Sequence, residues 1–185
     1  MSDILVIINP QNDFIEGSLS TEESIKVLPN IINVIKQHIN FGDSIFVVQD
    51  THTKNYKSTP EGKGNPIPHC LVKTNGWRIN DKIQETLDLA NPGNVRLIQK
   101  ETFGSFDLIK QLKDTVRTSN ERVRDIIIIG YQTNVDVLNN AVLIKNNFKN
   151  IKTTVLSYAC SGTNVDLHKQ AIEVMKSTQI NVIGL

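Results

Sequence analysis

The chain contains only two cysteines, Cys70 and Cys160, in 185 residues. Two thiols are too few for a disulfide scaffold, so a reducing compartment, the cytoplasm, is the expected location. A formal net charge of +1 gives no electrostatic reason to expect nucleic acid or an anionic membrane as a partner. No apolar run approaches membrane-spanning length, and residues 1–8 lack the basic start and the cleavage site of a signal peptide.

Short apolar runs alternate with segments of helical periodicity along the whole chain. Residues 4–8 form a continuous apolar run, and apolar residues then recur at helical spacing until Gly42. Further strands are predicted at 44–49, 95–99, 125–129, 153–156 and 180–183, with helices at 81–89, 106–116, 134–147 and 166–176. This alternation predicts one α/β domain over residues 1–185, a doubly wound and mainly parallel six-stranded sheet with helices on both faces.

Polar residues follow the buried runs at the points where the strands end. Asn9, Asp50 and Lys100 follow three strands, Asp136 follows the fourth after a strand-to-helix turn, and Ser157 follows the fifth. In an open parallel sheet, ligands bind outside the carboxyl ends of the strands. We therefore expect these side chains to converge on one crevice.

Asp50, His52 and His69 form the most specific local group. Asp50 and His52 lie two residues apart, so in extended backbone their side chains point to the same side. His69 lies in a turn stiffened by flanking prolines. One carboxylate and two imidazoles suit a divalent transition metal with open positions for water or a ligand. The alternative is that Asp50 caps a turn and both histidines are ordinary polar loop residues.

Lys100 and Asp136 each allow two interpretations. A lysine at a strand end can hold a carboxylate or stabilise developing negative charge, or it can simply extend its ammonium towards water. Asp136 follows Thr133 by three residues at a helix start, where backbone N–H groups can form an anion or oxyanion site. The same Thr-x-x-Asp spacing also resembles a capping box, which needs no catalytic purpose.

Motifs spread over nearly the whole chain carry a resemblance to one enzyme family. In chain order they are Ile7-Ile8-Asn9-Pro10-Gln11-Asn12-Asp13-Phe14, Asp50-Thr51-His52, Pro68-His69-Cys70, Gly76-Trp77, Lys100 with Thr102-Phe103-Gly104-Ser105, and Gly130-x-x-Thr133. Together they resemble the isochorismatase-like cysteine hydrolases, and more closely the nicotinamidase-like branch. The resemblance implies the doubly wound fold of that family and a homo-oligomer.

The resemblance also implies a catalytic triad with two replaced members. In that family an Asp, a Lys and a Cys cooperate, the Cys attacks a carboxamide, and ammonia leaves. These positions carry over as Asn9, Lys100 and Asp136, whereas Asp13 matches a second acid of the family motif. An amide cannot exchange a proton at neutral pH, and a carboxylate is a poor nucleophile towards an unactivated amide. The resemblance thus implies a protein that is inactive or altered for hydrolysing nicotinamide to nicotinate and ammonia.

The family's metal ligands carry over as Asp50, His52 and His69, and a further histidine of some members falls near Tyr56 here. The implied cofactor is a divalent ion, zinc first, with manganese, iron or magnesium as alternatives. The implied ligand is a small molecule such as a pyridine carboxamide, whose ring nitrogen the metal helps to hold. Side chains expected to contact it are Phe14, Trp77, Phe103 and Gln132.

Two alternatives concern these same residues. Each of the three aromatic side chains could equally be a core residue. The protein could also be an active hydrolase of altered mechanism, in which Asp136 and Lys100 act on an amide or a vinyl ether. Cys160 is a remote candidate nucleophile, because a free cysteine more often packs as a small apolar residue.

Overall fold

A parallel sheet of six strands runs through the molecule. The strands are β1 (Ser2–Ile8), β2 (Ser44–Asp50), β3 (Val95–Lys100), β4 (Val123–Tyr131), β5 (Lys152–Ser161) and β6 (Asn181–Ile183). Their order across the sheet is β3-β2-β1-β4-β5-β6, and every neighbouring pair is parallel. This order confirms the predicted doubly wound α/β fold. The computed structural model describes residues 1–184, so Leu185, the last residue of the predicted domain, lies outside the described part.

Helices cover both faces of the sheet, as predicted. They are α1 (Asn12–Ile15), α2 (Glu22–Phe41), α3 (Pro60–Gly64), α4 (Asp81–Leu87), α5 (Phe106–Thr118), α6 (Leu138–Asn147) and α7 (Val165–Ser177). One apolar core lies between the sheet and α5, α6 and α7, and a second lies between the sheet and α1, α2 and α4. Strand β1 contributes alternate side chains to both cores, which explains its continuous apolar sequence. Within residues 1–184, no helix is both long and apolar enough to cross a bilayer.

Two segments differ from the sequence prediction. The helix expected from residue 134 begins with a π-helical turn, Thr133–Val137, before α6. Strand β5 continues past residue 156, because its later residues still pair with β4 after an irregularity in register. Ser157 therefore lies inside β5, where its hydroxyl donates to the Ile183 carbonyl at 3.1 Å. The expectation that Ser157 ends a strand and joins the strand-end group was wrong.

Gly130 brings the end of β4 close to the end of β1. Its φ of 121° is in the region that favours glycine, and a Cβ at this position would overlap the Ile8 carbonyl oxygen. The glycine thus allows the two central strands to meet just before the turn that carries Asp136. Asn9 follows Ile8 directly, so this close approach places positions 9 and 136 in one region.

Candidate functional site

A buried lysine connects two carboxylates at the carboxyl ends of the strands. Asp50 and Lys100 are direct partners in the β2–β3 register, so their side chains share one face of the sheet. The Lys100 ammonium donates to Asp50 Oδ1 at 2.9 Å and to Asp136 Oδ1 at 2.7 Å. All three side chains are buried. The structure therefore brings together three of the residues that the strand-end pattern singled out.

Burial and neighbouring charges act differently on these three groups. Burial alone would lower the pKa of Lys100, but the carboxylates of Asp136 and Asp50 outweigh it, and the pKa is raised. Burial raises the pKa of Asp136, helped by the nearby Asp50 charge and opposed by Lys100. Burial also acts to raise the pKa of Asp50, but Lys100 and the imidazoles of His52 and His69 reverse the effect and lower it. The lysine stays charged, and Asp136 is the carboxylate that takes up a proton more easily.

The side-chain amide of Asn9 lies next to this ion pair, while the Asn9 backbone N–H donates to the Val48 carbonyl at 2.7 Å. Asn9 follows β1 with a φ of 49°, a left-handed conformation that asparagine tolerates better than most residues. The side chain is fully buried, and within residues 1–184 neither amide atom has a hydrogen-bond partner. Burial raises the pKa of Asp136, whereas the Asn9 amide is near enough to that carboxyl group to act in the opposite direction. An unpaired buried amide costs about 1–3 kcal/mol, which points to a function or to a missing partner.

Three side chains, those of His52, Glu61 and His69, converge on Asp50 to form a four-donor cluster. Asp50 Oδ2 lies 3.1 Å from His52 Nε2 and 3.3 Å from His69 Nε2. Glu61 Oε1 lies 3.5 and 3.7 Å from the same two nitrogens. All four candidate ligand atoms are within 4.8 Å of one another. Metal–ligand bonds of about 2.0–2.2 Å would fit inside this group, and its nitrogen and oxygen donors suit a divalent transition metal.

Glu61 is the member of this cluster that sequence reasoning missed. It occupies the first turn of α3, where Thr59 caps the helix and Pro60 takes the first position. The sequence Thr-Pro-Glu predicts a helix start with an acid that is favourable in the first turn. This pattern alone therefore does not indicate a metal ligand. The useful signal was the length of the segment between β2 and α4, which is typical of functional loops.

Tyr56 lies at the cluster in a different role from the histidine of some family members. Its ring lies against the rings of His52 and His69, with centroids 4.7 and 4.9 Å away. Its hydroxyl donates to the Asn65 carbonyl at 2.9 Å. Tyr56 therefore packs the two imidazoles in place, and Glu61 completes the set of four donors.

Residues of the first motif hold the cluster from outside. The Gln11 side chain donates to the Asp50 carbonyl at 2.8 Å and accepts the Asp50 N–H at 2.7 Å. Asp13 accepts the Cys70 N–H at 2.7 Å and so fixes the chain beside His69. His69 Nδ1 lies 2.9 Å from the carbonyl of Ile67, which favours the tautomer whose free Nε2 faces the cluster. Asp13 thus supports the loop.

The turn that carries Asp136 is anchored by side chains rather than by a cap. Asn140 donates to the Asp136 carbonyl at 2.8 Å and to the Phe103 carbonyl at 2.9 Å. The Thr133 hydroxyl is bonded to His168 Nδ1 at 2.8 Å. Since the Asp136 carboxylate bonds to Lys100, the capping-box interpretation does not describe this turn.

A cavity of about 170 Å³ opens between the cluster and the turn. Asp50, Glu61, His69 and Asp136 contribute its charged lining. Its other lining side chains include Phe14, Leu19, Phe103, Gln132 and Val135. A cavity of about 150 Å³ can hold a benzene ring, so this one has room for a single six-membered ring.

The side chains expected to contact a ligand lie in two places. Phe14, Phe103 and Gln132 line the cavity. Trp77 instead braces the end of β2: its indole N–H donates to the Thr51 hydroxyl at 3.0 Å, and its carbonyl accepts amide bonds from Gln11 and Gln49. Cys160 lines a separate cavity, and burial raises the pKa of its thiol to about 12.

The fold and the site together define an α/β protein with a four-donor cluster and a one-ring cavity at the carboxyl ends of parallel strands. The chain belongs to the isochorismatase family, since the isochorismatase domain matches residues 3–185. It is a member of a family of hydrolases that includes nicotinamidases.

Individual relatives are distant in sequence but similar over their whole length. The chain is 24% identical to the nicotinamidase of Schizosaccharomyces pombe, in an alignment that covers 97% of this chain and 92% of the relative. The crystal structure of a nicotinamidase from Bacillus subtilis superposes with a TM-score of 0.85 at 23% identity, covering all of both chains. The pyrazinamidase of Pyrococcus horikoshii in complex with zinc gives a TM-score of 0.79 at 24% identity, again over both complete chains.

Proposed function

We propose that this protein binds a single-ring small molecule in a metal-dependent way and does not hydrolyse carboxamides by the cysteine route. The observation that carries the proposal is the Asp136 carboxylate, bonded to Lys100 at 2.7 Å where the family resemblance implies a thiol. A carboxylate engaged by an ammonium is a weak nucleophile, and Asn9 cannot take or return a proton. Losing members of a cooperating catalytic set commonly costs several orders of magnitude in rate.

The four-donor cluster supports the metal part of the proposal. Asp50, His52, Glu61 and His69 would hold the ion, and the donor set suits zinc first, then manganese, iron or magnesium. When bound, the ion supplies a Lewis-acidic position for a neutral donor atom of the ligand. The relative from Pyrococcus horikoshii that contains zinc is consistent with this choice of metal.

Replacing Glu61 with glutamine should weaken zinc binding by about 10–100-fold, because a charged donor becomes a neutral one. Glu173→Gln is the matched control: it makes the same change at an exposed glutamate on α7 that pairs with Lys176, outside the four-donor cluster. Zinc affinity can be measured by competition with a chromophoric chelator. Equal affinities for Glu61→Gln and the unmodified protein would remove Glu61 from the ligand set.

A pyridine carboxamide is the ligand class that we propose, because the cavity is lined by apolar side chains that suit a ring and by polar side chains that suit an amide. We expect zinc-loaded protein to bind nicotinamide at least about tenfold more tightly than chelator-treated protein, as measured by isothermal titration calorimetry. The bound nicotinamide should be recovered unchanged. Binding that is unaffected by zinc removal would contradict the metal-dependent pocket.

A second candidate is favoured by one observation, the raised pKa of Asp136 in the cavity wall. A carboxyl group with a raised pKa can act as general acid or base on an amide or a vinyl ether, with Lys100 stabilising the charge that develops. This candidate requires turnover by the unmodified protein that Asp136→Asn abolishes. Turnover that persists in Asp136→Asn would exclude it.

A further inference from the structure

We propose that Asp136 sets the ligand specificity of the cavity by selecting rings that present an N–H donor to it and rejecting rings that carry a carboxylate. This inference rests on the proposed function, because it names the ligand class of the same cavity. It assigns Asp136 a role in recognition that is independent of any hydrolytic step.

The charges at the cavity are unevenly distributed. Three carboxylates line it, those of Asp50, Glu61 and Asp136. The basic group bonded to two of them, Lys100, has a side chain that is only 2% exposed. Its ammonium already donates to Asp50 and Asp136. The lysine is therefore engaged by the protein itself and is a poor partner for a ligand anion.

The charges balance without any anionic ligand. Asp50 and Glu61 together match the charge of one divalent ion, and Lys100 matches Asp136. A ligand carboxylate would add an uncompensated negative charge to a poorly solvated site, where like charges repel strongly. A neutral ligand would keep the balance.

Asp136 also offers a free acceptor. Lys100 bonds to its Oδ1, which leaves Oδ2 to accept a bond from a ligand in the cavity that Asp136 lines. The bond from the charged Lys100 ammonium favours the ionised form of Asp136, and hydrogen bonds to an ionised acceptor are about twice as strong as those between neutral groups. The fully buried Asn9 amide beside Asp136, whose two polar atoms are unpartnered within residues 1–184, shows that the local hydrogen-bond network is incomplete.

Three ligands of similar shape distinguish the effect of the ligand's charge from the effect of its N–H donor. Nicotinamide has the N–H donor, 3-acetylpyridine is neutral without it, and nicotinate is anionic. With zinc-loaded protein and titration calorimetry, we expect nicotinamide to bind at least about tenfold more tightly than 3-acetylpyridine, and nicotinate to bind most weakly. Nicotinate binding as tightly as nicotinamide would overturn the inference. So would equal affinity for nicotinamide and 3-acetylpyridine.

The variant Asp136→Asn tests whether Asp136 causes the preference for nicotinamide over nicotinate. The ratio of nicotinamide to nicotinate affinity should fall by at least about tenfold, because the repelling charge is removed. Asp114→Asn, an exposed acid on α5, removes the same charge elsewhere and should leave the ratio unchanged. An unchanged ratio of the two affinities in Asp136→Asn would refute the role of Asp136 in specificity. If that variant does not fold, the order of the three ligand affinities for the unmodified protein tests the inference.

The proposed function fails in a different way from this inference. If none of the three ligands binds in a zinc-dependent manner, the metal-dependent pocket is wrong and the inference falls with it. If binding depends on zinc but nicotinate binds as tightly as nicotinamide, the pocket stands and only the role of Asp136 is refuted.

Discussion

Substituting Lys100 with methionine is expected to lower the free energy of unfolding by about 3–5 kcal/mol, the usual cost of removing one partner from a buried ion pair. The Lys100 ammonium bonds to Asp50 and Asp136, and all three side chains are buried. Methionine fills a similar volume but leaves the carboxylates of Asp50 and Asp136 without the ammonium that joins them. Urea denaturation measures the effect, with a chelator present because bound metal would add stability of its own.

Two further variants test whether the loss of stability comes from the buried ion pair. Lys113→Met removes an exposed lysine on α5 whose ammonium bonds to Asn147, so its effect should stay within about 0.5 kcal/mol. Adding Asp136→Leu to Lys100→Met should recover about 1–3 kcal/mol, because one unpaired buried charge disappears. A loss below about 1 kcal/mol for Lys100→Met would show that the ion pair does not hold the strand ends together.

The sequence predicted the sheet and most of the strand-end residues because the signals there are local. Apolar runs buried on both faces mark parallel strands, and their carboxyl ends must meet at one edge of the sheet. Asp50 and Lys100 therefore met as direct neighbours in the register. The same rule gave a wrong prediction for Ser157, because β5 continues beyond its apolar run after an irregularity in its register with β4.

The loop between β2 and α4 could not be predicted in the same way. Its path depends on bonds to residues distant in sequence, such as those of Gln11 to Trp77 and Asp13 to Cys70, which no periodic pattern predicts. Glu61 lies on this loop, and it is the fold of the loop that brings Glu61 into the four-donor cluster. Trp77 donates from its indole N–H to Thr51 and accepts from Gln49 at its carbonyl, contacts that the aromatic residue type alone does not predict.

Under the proposed function, Asn9 and Asp136 replace an Asp and a Cys of the family triad, and the two replacements compensate each other in charge. The double variant Asn9→Asp plus Asp136→Cys moves one negative charge from position 136 to position 9 and leaves Lys100 with its charge balance. Either change alone would alter the charge around a buried ammonium. The double variant also supplies a thiol near a helix start and a base beside it, the conditions that make a cysteine nucleophilic.

Ammonia release from nicotinamide, measured side by side for the unmodified protein and this double variant with added zinc, tests the central claim most directly. We expect no release above the protein-free background from the unmodified chain, and release at least about 100-fold above it from the double variant, because cooperating catalytic groups act together. Ammonia release by the unmodified protein at a rate equal to that of the double variant would contradict the account. In that case Asp136 would have to support amide hydrolysis itself.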